Sequence, residues 1–265
     1  IPPGDLRMAL AALCGDDAWG RTWARVVQHR FAGEGSLAGH ALGNLLISAL
    51  WEETSDIVTG LEWVASLLGA HGRVLPLALE PLDIVADVSH TGGTQRVRGQ
   101  VAVARTRGSV VNVALEPSDV AATPAALDAV RQADAIVMGP GSWYTSVLPH
   151  LLLEDMRTAV VQARAQRICV LNLAPQAGET EHFHLHTHLD VLHALAPELR
   201  LDVVLVDESV VTDRAALDAS ADQLGARVEL ASLEVEPGVA LHSPDLYAAA
   251  LRRILPARTV PSMAG

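Results

Sequence analysis

The sequence predicts an α/β protein with a mainly parallel sheet covered on both faces by helices, and an additional mixed or antiparallel strand region. Three observations carry this. Half of the 265 residues are hydrophobic and only 3% are aromatic, enough for one sizeable aliphatic core. Three short continuous apolar runs, "DAIVMG", "RICVLNLAP" and "LDVVLVD", are separated by segments of helical period, the order expected of parallel strands buried on both faces. An earlier stretch shows period-two alternation instead.

In chain order, residues 4–14, 17–30, 40–51 and 56–70 have helical spacing, the last with Trp63, Leu67 and Leu68 on one face. "RVLPL" at 73–77, "DIVADV" at 83–88, "RGQVAVAR" at 98–105 and "SVVNVALEP" at 109–117 read as strands. "TPAALDAVRQA" is a helix opened by Thr123 with Pro124 at its first position. The strand "DAIVMG", a helix over about 154–166, the strand "RICVLNLAP", a helix near 184–196 and the strand "LDVVLVD" then follow. Composition shows no break, repeat or low-complexity tract, so residues 1–265 are expected to form one domain, with 256–265 as a frayed tail.

Charge narrows the function. A formal net charge of −12, with every basic side chain an arginine, disfavours nucleic acid, which needs clustered cations. An anion can still be held locally by backbone N–H groups and one or two arginines. Cys14 and Cys169 lack metal or disulfide spacing and read as core residues of a reducing compartment. No leader and no apolar run of about 18 residues stands out, so a cytoplasmic protein without membrane insertion is expected.

In a parallel sheet the ligand sits beyond the carboxyl ends of the strands. "GPGSWYTS" follows "DAIVM" at such an end. Gly139 and Gly141 permit a turn and close approach to the backbone, and Ser142 suits a helix cap, with Tyr144, Thr145 and Ser146 crowded behind it. It is not a nucleophile elbow, because Tyr144 stands where that motif needs glycine. "NLAPQAGET" follows the next strand and places Asn172, Gln176, Glu179 and Thr180 on the same edge. In "LAGHALGNLLISAL", Asn44 stands among apolar residues and needs a partner if buried. In "IPPGDLR", Asp5 and Arg7 lie just inside a helix start. The run "HFHLHTH" spaces His182 with His186 and His184 with His188 at i, i+4, but offers neither H-E-x-x-H nor cysteine pairs. It is read as a histidine-rich surface helix without metal.

Taken in order, "PPGDLRMALAAL", "LAGHALGNLLISAL", "GRVLPL", "GPGSWYTSVLPHLLL" and "NLAPQAGET" resemble the YvcK family, often called gluconeogenesis factor, within the CofD-like superfamily. The resemblance implies a Rossmann-like three-layer α/β/α fold. It implies a cytoplasmic regulator that binds UDP-sugars such as UDP-N-acetylglucosamine and links carbon metabolism to cell-wall synthesis and cell shape. Cell-wall synthesis proteins are then the expected partners, no cofactor is required, and a homodimer is left open. The alternative is a nucleotide-dependent transferase related to 2-phospho-L-lactate transferase.

On that resemblance, Gly139, Gly141 and Ser142 supply donors to the diphosphate. Thr145 and Ser146 add hydroxyl contacts, and Asn172, Gln176, Gly178, Glu179 and Thr180 meet sugar or base. Tyr144, His150, Gly43, Asp5 and Arg7 complete the expected site, with His40 and Asn44 supporting the loop. Three departures stand out. A "GGGTGL"-type βα unit of roughly 30 residues, which usually precedes "PPGD", is not in the sequence. "LPH" places His150 where many relatives have an amide. "LHS" at Leu241, His242 and Ser243 lacks an arginine found in the family pattern.

Overall fold

The computed structural model describes residues 4–90, 92–99, 102–103, 109–176 and 179–255. The chain forms two compact units, Ile1–Leu79 with Thr123–Ala126, and Glu80–Ala122 with Leu127–Gly265.

The first unit is helical: α1 (Gly4–Ala12), α2 (Ala18–Gln28), α3 (Leu42–Thr54) and α4 (Ile57–Leu68). Their apolar stripes meet in a core of Leu10, Val27, Ile47, Leu61, Val64 and Leu68. Asp17 caps α2 by accepting from the Gly20 N–H at 2.7 Å, and Asp56 caps α4 through the Thr59 N–H at 3.0 Å. The strand expected at 73–77 is absent as a ladder element. Pro76 has no N–H to give a ladder, and the Leu77 carbonyl instead accepts from the Thr123 N–H at 2.9 Å. The Thr123 hydroxyl bonds the Pro76 carbonyl at the entry to α5 (Pro124–Gln132).

The second unit holds two sheets. β1 (Asp83–His90), β2 (Gly93–Arg98) and β3 (Ser109–Glu116) form an antiparallel sheet in the order β2-β1-β3. Its exposed face is laced by Arg98–Asp83 at 2.8 Å and Arg96–Glu116 at 2.5 Å, cross-strand pairs that need this register. β2 ends at Arg98, where the sequence suggests a strand beginning. The remainder of that expected strand lies largely outside the described residues.

β4 (Ala135–Met138), β5 (Gln166–Val170), β6 (Val203–Asp207) and β7 (Arg227–Ala231) form the parallel sheet, in that order. Between them run a π-helical turn (Trp143–Val147), α6 (Pro149–Leu152), α7 (Glu154–Gln162), α8 (Leu185–Leu195) and α9 (Arg214–Gln223), with α10 (Pro244–Ile254) last. β6 is buried along its whole length. Ile168, Val170, Val203 and Leu205 pack on Ala250 and Ile254 of α10, and strand alternation turns Cys169, Val204 and Val206 to the other face. β4 pairs only with β5 among the described residues, and its Val137 is 40% exposed. Helix α9, strand β7 and helix α10 add to the elements legible in the sequence. No helix among the described residues is long and apolar enough to cross a membrane.

Candidate functional site

β4 and β5 run parallel, so the corner after Met138 and the loop after Val170 emerge on one edge of the sheet. Gly139 makes the turn. Its φ is +79°, and a β-carbon there would lie 2.6 Å from the Val170 carbonyl oxygen, so only glycine lets the two strand ends come this close. Gly141 is less constrained, since a β-carbon there meets only Ser146 at 3.5 Å.

Asn172 clamps the Gly141 peptide from both sides. Its Oδ1 accepts from the Gly141 N–H at 2.9 Å, and its Nδ2 donates to the Gly141 carbonyl at 2.8 Å. The Gly141 N–H, expected to serve a phosphate, is therefore already engaged, and the Asn172 amide is spent on backbone. Gln176 plays a similar part, its Oε1 accepting from the Trp143 N–H at 3.3 Å.

Ser142 is the hub. It caps the π-helical turn by accepting from the Thr145 N–H at 3.1 Å, receives a bond from the Thr145 hydroxyl, and donates its own proton to the Glu179 carboxylate, with oxygens at 2.6 and 2.8 Å. Glu179 is buried and Thr180 fully so. The Thr180 hydroxyl accepts from the Gln176 N–H at 2.9 Å, folding the loop back on itself. Tyr144 is buried as well. Burial first, and the Glu179 charge second, push its phenol far above the ordinary range, so it stays protonated.

Behind the corner, Trp143 is buried with its ring edge-on to His188 at 4.9 Å. This corrects the reading of the histidine run. Helix α8 begins only at Leu185, with His184 as its cap residue, so His182 and His184 precede it. His188 is a core residue whose Nδ1 donates to the His184 carbonyl at 3.2 Å, and burial lowers its pKa despite that bond. His184 and His186 stack at 5.4 Å. Among the described residues no three His, Cys, Asp or Glu side chains converge to hold a metal.

The structure thus gathers Gly139, Gly141, Ser142, Tyr144, Thr145, Asn172, Gln176, Glu179 and Thr180. Ser146 and His150 are exposed on the turn and on α6. Gly178 lies outside the described residues. Asp5, Arg7, His40, Gly43 and Asn44 belong to the helical unit, at the starts of α1 and α3. There the Arg7 Nε, His40 Nδ1 and Asn44 Oδ1 are buried without partners.

One residue of the sheet edge was not singled out from the sequence. Asp207 ends β6 and is 2% exposed, accepting from the backbone N–H groups of Ser209 at 2.8 Å, Leu233 at 2.5 Å and Glu234 at 3.1 Å. Burial opposes its charge, but the Ser209 side chain together with these backbone bonds outweighs burial and holds the carboxyl below its ordinary range. The available signal was a carboxylate closing the apolar run "LDVVLVD".

A polar, backbone-clamped corner at the carboxyl edge of a parallel sheet places the chain in the Rossmann-like α/β class. The chain belongs to the CofD family, whose model, described as 2-phospho-L-lactate transferase CofD, matches residues 1–243. Within it the chain is of the YvcK type. It is 45% identical over 258 residues to a Mycobacterium tuberculosis protein named "Putative gluconeogenesis factor", covering 95% of this chain and 75% of that one. It is 33% identical over 270 residues to the gluconeogenesis factor of Listeria innocua, covering 97% and 81%. A crystal structure of a UPF0052 family member from Bacillus halodurans superimposes with a TM-score of 0.83 at 29% identity, over 96% of this chain and 83% of that one.

Proposed function

We propose that this chain binds a nucleotide-sugar of the UDP-N-acetylglucosamine type at the corner after β4. It acts as a cytoplasmic regulator linking central carbon metabolism to cell-wall synthesis and cell shape, with cell-wall synthesis proteins as partners. The observation that carries the binding step is the Ser142–Glu179 bond, a buried carboxylate facing hydroxyl groups across two successive strand ends. Such a cluster presents acceptors to sugar hydroxyls and, through the Gln176 Nε2 and the exposed Ser146 hydroxyl, donors to phosphate oxygens. Relatives named gluconeogenesis factor support the link to carbon metabolism.

Thermal unfolding tests it. A ligand at 100 times its dissociation constant stabilises the native state by about 2.7 kcal/mol, roughly 5–10 °C for a chain of this size. UDP-N-acetylglucosamine is expected to give that shift and uridine a much smaller one, and an unmoved transition at millimolar nucleotide-sugar ends the reading. The family description favours a second reading, a nucleotide-dependent transferase. Release of UDP or UMP in the presence of Mg²⁺ separates the two.

A further inference from the structure

We infer that the outer face of α2 and α4 is a docking surface for a cationic amphipathic helix of a partner protein. Trp19 and Trp63 are 55% and 56% exposed, and Leu67, one turn beyond Trp63, is 41% exposed. The chain has five tryptophans, so two of them standing in water on neighbouring helices make a patch rather than scatter. Sequence spacing groups Trp63, Leu67 and Leu68 on one side of α4, but only Leu68 turns into the core.

The patch is held in shape before any partner arrives. The Trp19 indole N–H donates to the Leu67 carbonyl at 3.3 Å, which ties α2 to the last turn of α4. Its ring also lies over Gly69, where a β-carbon would meet the Trp19 Cδ1 at 3.8 Å, and beside the Trp23 ring at 5.6 Å. Tryptophans fixed in this way anchor interfaces, because little rotamer freedom is left to lose on binding. The helical unit has no strand among the described residues, so a partner cannot extend a sheet there. A helix laid against the ridge of α2 and α4 is the regular mode that remains.

Charge sets the partner's sign. At one end of the patch, Asp56 stands seven residues before Trp63, about 10 Å along α4, and Glu52 and Glu53 close α3 with no basic residue in its last turn. At the other end, Asp16 and Asp17 precede Trp19. The cations nearby do not offset them. Arg73 is taken by Glu62 at 2.5 Å, and Arg21 and Arg25 lie roughly 200–240° round α2 from Trp19. Two copies of this chain meeting face to face would set these acids against each other, and an anionic bilayer would meet them with like charge. A helix with an apolar stripe and basic residues at both ends matches the tryptophans and the acids together.

The surface does not rest on the nucleotide-sugar reading, and its test contains no nucleotide. On the whole chain, the Trp19 and Trp63 indole Nε–H signals in a ¹⁵N correlation spectrum are assigned by their loss in Trp19→Phe and Trp63→Phe. They are then followed as a synthetic helix of about 16 residues is added, with leucines at i, i+3, i+4 and i+7 and lysines elsewhere. The expected result is that both signals move along one saturating curve, and that a counterpart with glutamate for lysine moves neither. Trp63→Ala is expected to weaken binding about tenfold or more, and Glu52→Gln with Glu53→Gln several-fold. Wild-type signals that stay still overturn the proposal without any variant having to fold. A shuffled lysine peptide that binds equally well also overturns it, by reducing the contact to bulk charge. Self-association in sedimentation that Trp63→Ala abolishes assigns the face to a second copy, and movement with phosphatidylglycerol vesicles but not with the lysine helix assigns it to a membrane. Either outcome likewise overturns the proposal.

Discussion

Two buried carboxylates stand on the same edge of the parallel sheet, and they are satisfied in opposite ways. Asp207, at the end of β6, is ringed by three backbone amides. Glu179, in the loop after β5, is met by the Ser142 hydroxyl, which is itself held by Thr145. Backbone amides are fixed by the chain and cannot be redirected without unfolding it. Hydroxyl groups rotate, and can exchange a protein partner for a ligand at little cost. The contrast separates a fixed staple from a hydroxyl cluster that can rearrange, although both residues look alike by burial alone.

Removing the staple gives the largest effect. Asp207→Ala strands three amides, and is expected to cost about 3 kcal/mol or more, roughly 6–12 °C in melting temperature. The pH dependence has a definite sign. The folded-state pKa of Asp207 is depressed, so its contribution is fully present above the unfolded value of about 4 and is lost as pH falls through the folded value. The stability gap between wild type and Asp207→Asn is expected to close on acidification below about pH 4 in denaturant titrations. A gap that stays constant there would place the charge of Asp207 outside the staple.

The next effect lies in the corner's own backbone. Gly139→Ala forces a side chain against the Val170 carbonyl at positive φ, costing about 3 kcal/mol, whereas Gly141→Ala, also at positive φ, meets only an ordinary contact and costs about 1–2 kcal/mol. Equal losses in chemical denaturation would show that the two strand ends are not pinned at Gly139.

The smallest stability change is expected at Glu179→Gln, about 1 kcal/mol, because the amide oxygen can still accept from Ser142. Its signature is elsewhere. With the charge gone, Tyr144 should ionise at lower pH, visible in the alkaline absorbance titration of a protein with only two tyrosines. An unchanged titration would separate Glu179 from the Tyr144 environment and weaken the contrast with Asp207.

The sheet edge was legible in the sequence because its signals are local: an apolar run, then "GPGS", or an apolar run, then "NLAPQ". What was not legible depends on distant partners. Asn172 stands in the sequence beside a strand end, and nothing local shows that it bonds Gly141, 31 residues away. Asp207 reads as a strand end until residues 26 positions later fold back on it. "RVLPL" misled because its alternation is genuine while Pro76 forbids a ladder, and His188 misled because periodicity places it on a helix without saying which face is covered. Gly43 is the converse case. Its sequence context suggests close packing, and the structure shows that what packs there is the Arg7 side chain.

The tryptophans carry a further consequence. Trp19, Trp23, Trp51 and Trp63 all lie in the helical unit, and Trp143, enclosed at the foot of the corner, is the fifth and last. Replacing the first four with phenylalanine leaves a chain whose emission comes from the corner alone. Its wavelength then reads the dryness of the packing beneath the corner directly, and its quenching by acrylamide reads how often that packing opens, while the helical unit stays optically silent.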